Sequence, residues 1–92
     1  MNILIRNSAL KHNLTEDEID YAFLNIFRSK RVYSKKYDYE NIWAIGILPN
    51  GNSCELIFSY KDIDTAIIFH AMSPARKSFT KKLERKDYGI QK

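Results

Sequence analysis

Two histidines, His12 and His70, each stand close in sequence to cations: Lys11 precedes the first, and Arg76 and Lys77 follow the second. An imidazole has an ordinary pKa of ~6.5, so one ring can take a proton while another returns it. With an arginine and a lysine to stabilise charge growing on phosphorus, such a set could cleave RNA without a metal. One group would remove the ribose 2′-OH proton and another would protonate the departing 5′ oxygen. The candidate catalytic residues are therefore Lys11, His12, His70 and Arg76. A lone histidine is more often structural, and Lys11 and His12 are equally explained as cations at the end of a helical turn.

Other chemistries have little to build on. Three glycines supply no phosphate-binding loop, and no cofactor is expected. Cys54, beside Glu55 in an apolar stretch, lacks the electropositive setting that activates a thiol and reads as a small core residue. As the single cysteine it forms no internal disulfide, and no Cys/His spacing fits a zinc site, so a reducing cytoplasmic location is expected. The apolar run Ile3-Leu4-Ile5 is too short for a signal-peptide core, and no segment reads as membrane-spanning.

The elements that must position these groups follow from the pattern. Ala66-Ile67-Ile68-Phe69 reads as a buried strand, and by alternation His70 shares a side with Ile68. Ser73-Pro74 then reads as an N-cap and first position of a helix over 74–85, with Ala75, Phe79 and Leu83 as its apolar seam. Arg76 and Lys77 fall in its first turn, where the macrodipole disfavours cations by ~0.3–1 kcal/mol each and no acid lies nearby in sequence. A bound anion would resolve the conflict; so would a distant carboxylate, or exposure to solvent. The catalytic reading requires that this helix start meet Lys11 and His12 in space. An Arg76 locked onto an internal carboxylate would instead leave a plain scaffold.

Toward the N-terminus, Ser8 is placed to cap a turn over residues 9–12, closed by Asn13 in the left-handed conformation. Thr15 and Glu18 form a capping box, with Leu14 and Ile19 as a hydrophobic staple. Ile19, Ala22, Phe23, Ile26 and Phe27 make the core stripe of a long helix, with Arg28 and Lys30 at its far end. From Val32 the period becomes that of a strand, over 32–39, whose one face carries Tyr33, Lys35, Tyr37 and Tyr39. Tyr33, Lys35 and Tyr37 of that face, together with Arg31 and Lys77, form the candidate RNA-binding set, since aromatics stack bases and cations neutralise phosphate. The favoured reading of the same residues is a solvated edge strand whose tyrosines cover the sheet and whose lysines block edge pairing. Residues 42–48 and 53–60 are two further strands, joined through Pro49-Asn50-Gly51-Asn52.

The expected architecture is α+β: two N-terminal helices, an antiparallel sheet of three to four strands and a C-terminal helix, with the helices on one face. Residues 1–92 form one domain, with a loose tail at 88–92. The net charge of +4 is concentrated in 28–36 and 76–86, so one face should be basic and suited to a polyanion.

The segment Lys11-His12-Asn13-Leu14-Thr15-Glu16-Asp17-Glu18-Ile19 resembles the Lys-His-Gly start of the BrnT-like toxins. Phe69-His70-Ala71-Met72-Ser73-Pro74-Ala75-Arg76 is similar to their strand-into-helix segment, which ends in an Ala-Arg pair. With Trp43-Ala44-Ile45-Gly46 between them, the likeness covers about 10–85. It implies a RelE-like α+β fold and a metal-independent endoribonuclease of a type II toxin–antitoxin pair. The implied partners are an RNA substrate and a ribbon-helix-helix antitoxin, through which the complex reaches operator DNA. Lys11 and His12 match the Lys-His pair, His70 the histidine ending the strand, and Arg76 the arginine of the Ala-Arg pair. Asn13 stands where the family has glycine, and Ser73-Pro74 is one residue longer than the family form.

Overall fold

The computed structural model describes residues 1–34 and 39–84. Lys35, Tyr37, the side chain of Tyr39 and the tail at 88–92 lie outside what it describes. The chain runs β1 (Asn2–Ile5), a 3-10 turn (Asn7–Ala9), α1 (Glu16–Leu24), β2 (Ile26–Ser34), β3 (Tyr39–Ile47), β4 (Ser53–Asp62), β5 (Thr65–Met72) and α2 (Lys77–Glu84). It is α+β, but the two N-terminal helices expected are replaced by a strand, a short turn and one helix. The sheet has five strands in the order β1-β5-β4-β3-β2, and β1 runs parallel to β5.

The reason lies in residues far apart in sequence. Ile3-Leu4-Ile5 finds its partner in Ala66-Ile67-Ile68, and a parallel pair with no connecting motif leaves no local signal. The Ser8 hydroxyl does not cap a turn; it donates to the Phe69 carbonyl at 2.5 Å.

α1 is fixed at its start as the sequence implies. The Glu18 amide donates to Thr15 Oγ1 at 3.1 Å, and the Thr15 amide donates back to Glu18 Oε1 at 2.9 Å. Its end comes earlier than the apolar stripe predicts. Asn25 leaves helical geometry at φ −122° and donates its side-chain amide to the Tyr21 carbonyl at 2.8 Å. Ile26 then opens β2, and the ladder with β3 shifts register between Ile26 and Arg28. That irregularity leaves Phe27 60% exposed, so it is not part of the core stripe.

Alternate residues of β3 and β4 face two different layers. Ala44, Leu48, Cys54, Leu56 and Phe58 pack with Ile19, Ala22 and Phe23 of α1. Ile45, with Trp43 and Ile57, packs against Phe79 and Leu83 of α2. The helices thus cover opposite faces, not one. On the first face α1 sits so close to β3 that a Cβ on Gly46 would lie 2.1 Å from the Ala22 carbonyl oxygen. The β3–β4 turn closes with Gly51 at φ 86°, while the Asn52 amide donates to Asn50 Oδ1 at 2.9 Å.

Cys54 is completely buried in this core. Burial pushes its thiol up to about 11, helped by the nearby Glu55 and Glu18 charges and opposed by a hydrogen bond with the Met72 backbone. Iodoacetamide at mildly alkaline pH should therefore leave the native protein unmodified and alkylate it once denatured. Mass spectrometry reads the difference, and rapid alkylation of the folded chain would contradict the burial.

Candidate active site

β5 carries the residue on which the site depends, and an irregularity decides where that residue points. Ile57 pairs with His70 while Phe58 pairs with Ile68, so Phe69 is an extra residue in the ladder. Cross-strand partners share a face, and Ile57 and Phe58 are on opposite faces. His70 therefore lies on the α2 side, opposite Ile68, and the simple alternation read from the sequence fails at this point.

The same bulge helps seat the N-terminal segment. The Arg6 amide donates to the Ile68 carbonyl at 3.0 Å, and Ser8 reaches the Phe69 carbonyl. The chain then turns through Lys11-His12 to Asn13, which adopts φ 66°, the left-handed geometry expected of it. This path carries His12 to His70, and the two rings meet edge to face with centroids 5.6 Å apart. Lys11 is exposed in the same turn.

On the other side of His70 is a residue absent from the candidate set. Glu55 is fully buried, and its Oε2 lies 2.6 Å from His70 Nε2. Arg76 grips the same carboxylate, donating from Nη2 to Oε2 at 2.8 Å, from Nε to both oxygens at 3.2 and 3.3 Å, and from its backbone amide to Oε1 at 2.8 Å. Burial alone would push the Glu55 carboxyl up. The Arg76 side-chain and backbone hydrogen bonds and the His70 hydrogen bond outweigh it, so the group is held below the usual carboxylate range. An ionised carboxylate has no proton to give, so the hydrogen between it and His70 belongs to Nε2.

The anion inferred for the last helix is thus internal. Arg76 is not a free phosphate clamp but the partner of Glu55, and this overturns the role first assigned to it. The helix itself begins at Lys77, not Pro74. Ser73 does not cap it: its hydroxyl donates to the Ser53 carbonyl at 2.6 Å, and the Ala75 amide donates to Ser53 Oγ at 2.9 Å. With the Arg76 amide tied to Glu55 as well, residues 73–76 are pinned to β4 and the helical hydrogen bonds start one turn later. The Thr80 amide donates to the Arg76 carbonyl at 3.0 Å.

Of the described candidate RNA-binding residues, Arg31 and Tyr33 lie away from this site. Lys77 is exposed at the start of α2. Arg31 and Tyr33 lie on the edge strand β2, where Arg31 Nη1 pairs with Glu40 Oε1 at 2.8 Å and Tyr33 is 58% exposed. Arg31 lines a hollow with Phe23, on the α1 side, and so stands away from the layer that holds His70 and Arg76. Among the described residues, no group of three or more His, Cys, Asp or Glu side chains is arranged to hold a metal ion.

A signal for Glu55 was present. An acid inside the apolar stretch Cys54-Glu55-Leu56-Ile57-Phe58 needs a buried partner, and the unexplained cations at Arg76 and Lys77 were the complementary half.

Because the Glu55 carboxyl is depressed in the folded chain, its stabilising contribution is complete above the unfolded value of ~4.3 and is lost as pH falls through the lower folded value. Melting curves of the wild type should show an acid-side decline that is shallower in Glu55→Gln, which has no carboxyl to protonate. Equal acid slopes in both proteins would remove Glu55 as the group responsible.

Fold and site together define a small α+β protein: a mixed five-stranded sheet with one helix on each face and a buried carboxylate joining a histidine to an arginine. In comparisons with family models, curated proteins and solved structures, nothing matches this chain at a significant level. Among the described residues no helix is long and apolar enough to cross a membrane.

Proposed function

We propose that this protein is an endoribonuclease that cleaves RNA by attack of the ribose 2′-OH, without a metal cofactor. In this reading it is the toxin of a type II toxin–antitoxin pair and acts in the cytoplasm. The observation that carries the reading is the contact between His12 and His70, two imidazoles brought together from opposite ends of the chain. Two adjacent rings can divide the work of base and acid, and Glu55 fixes the tautomer and orientation of one of them. Lys11, exposed beside His12, is the cation left to meet the scissile phosphate once Arg76 is committed to Glu55. The resemblance to BrnT-like toxins supports the same chemistry. It adds a ribbon-helix-helix antitoxin as protein partner, with operator DNA reached only through it.

The two histidine rings meet, but Arg76 is locked onto an internal carboxylate, the arrangement that in the sequence reading leaves a plain scaffold. That pairing favours a second reading, a non-catalytic scaffold or basic binding module in which Glu55, His70 and Arg76 staple α2 to the sheet. The two readings separate in one assay. Purified protein, freed of any bound partner and incubated with RNA over a range of pH in EDTA, should yield fragments ending in 2′,3′-cyclic phosphate. RNA left intact throughout would eliminate the ribonuclease. Salt-sensitive RNA binding without cleavage would then favour the binding module.

A further inference from the structure

Beyond the histidine pair, on the same side of the sheet, a cleft of about 170 Å³ opens between α2 and the strands, lined by Trp43, Ile57, Arg76, Ser78, Phe79 and Lys82. We infer that this cleft is a subsite for a phosphate group of a nucleotide, at the position next to the bond that would be cut. The inference rests on the ribonuclease reading for its place in a reaction, and on the lining residues for its chemistry.

The cleft has an aromatic wall and a polar rim. Trp43 and Phe79 stack with centroids 5.0 Å apart and planes within 9° of parallel, which makes a rigid apolar wall. Ser78 and Lys82 are four residues apart on α2, so they sit one above the other on one side of the helix. Lys82 Nζ lies 4.9 Å from the centre of the Trp43 ring. An exposed contact of this kind is weak, and an ammonium resting on a ring beside a cleft is free to turn onto an anion. Arg76 uses Nε, Nη2 and its backbone amide on Glu55, while its Nη1 makes no hydrogen bond among the described residues, and the side chain is 55% exposed.

Nη1, the Ser78 hydroxyl and the Lys82 ammonium are donors of the kind a phosphate oxygen accepts. Glu55 already balances the Arg76 charge, so Lys82 supplies the net positive charge. The cleft has room for a phosphate with part of a sugar or base against the aromatic wall, but not for a long stretch of chain. Arg76 touches both the cleft and the carboxylate that holds His70, so a phosphate seated here would lie next to the histidine pair.

Trp43 is the only tryptophan, so the protein carries its own reporter at this position. Titration with adenosine 3′-monophosphate should change Trp43 fluorescence saturably, inorganic phosphate should do so more weakly, and adenosine should not. Lys82→Gln should weaken the mononucleotide about tenfold. Because that variant also alters the surroundings of the indole, calorimetric titration supplies the affinity, and Ser78→Ala provides a second, milder loss. Equal binding of adenosine and its 3′-phosphate, or an affinity untouched by Lys82→Gln, would overturn the subsite. Retained RNA cleavage in that case would leave the ribonuclease reading standing. Phosphate-dependent binding lost with Lys82, in a protein that cuts no RNA, would establish the subsite and reject the ribonuclease.

Discussion

Under the proposed ribonuclease reading, replacing His70 by alanine is expected to slow RNA cleavage by about 10²- to 10⁴-fold, the range for loss of a positioned proton donor or acceptor. The ring also holds Glu55, so the alanine variant alone would not separate chemistry from packing. His70→Gln does. A glutamine amide can still donate to the Glu55 carboxylate but transfers no proton at neutral pH. If His70 is only a staple, the glutamine protein should keep its activity and its melting temperature. If it exchanges protons, the glutamine protein should melt close to the wild type and cleave as poorly as the alanine variant. Recovery of full cleavage in His70→Gln would remove the proton-transfer role.

Gly46→Ala should be the most damaging small substitution for the fold. The added methyl would lie 2.1 Å from the Ala22 carbonyl oxygen, well inside contact distance, and the obstacle is backbone that cannot rotate away. Either α1 lifts off the sheet or β3 bends, and both loosen the packing of Ile19, Ala22 and Phe23. A loss of about 3 kcal/mol or more is expected, at the upper end for overpacking. In a domain this small that corresponds to a fall of roughly 12–24 °C in melting temperature. Gly51→Ala is the useful contrast. Nothing lies within 4 Å of its added carbon, so only the φ of 86° opposes it. A cost of about 1 kcal/mol is then expected. Similar melting temperatures for the two variants would show that α1 does not approach β3 as closely as described.

What the sequence discloses here is local. The capping box at Thr15 and Glu18, the left-handed Asn13 and the turn at Gly51 depend on neighbours within a few residues, and each appears where its residue types place it. The departures all involve partners far along the chain. β1 is three apolar residues until β5 is beside it, and Ile26-Phe27 continues a helical stripe until β3 offers a ladder. The bulge at Phe69 cannot be read from Ala66-Ile67-Ile68-Phe69-His70 alone, yet it decides which face receives the histidine. The types of His12 and His70 mark them as a candidate acid and base, but their contact depends on the path of the chain from Arg6 to Asn13 along β5. Glu55 stands beside an unreactive cysteine and looks inert by that neighbour; only the cost of burying its own charge marks it as a residue that needs a partner.

The parallel pairing of β1 with β5 also orders events in time. The β2–β3, β3–β4 and β4–β5 neighbours are adjacent in sequence and can zip as hairpins, whereas Asn2–Ile5 must wait for a partner about sixty residues further along. Until it arrives, the strand leading to His70 has one flank uncovered, a row of backbone donors and acceptors open to any passing extended chain. Capture of that flank by another nascent molecule competes directly with closure of the sheet, so the yield of folded protein should depend on concentration during refolding even where the finished fold is stable.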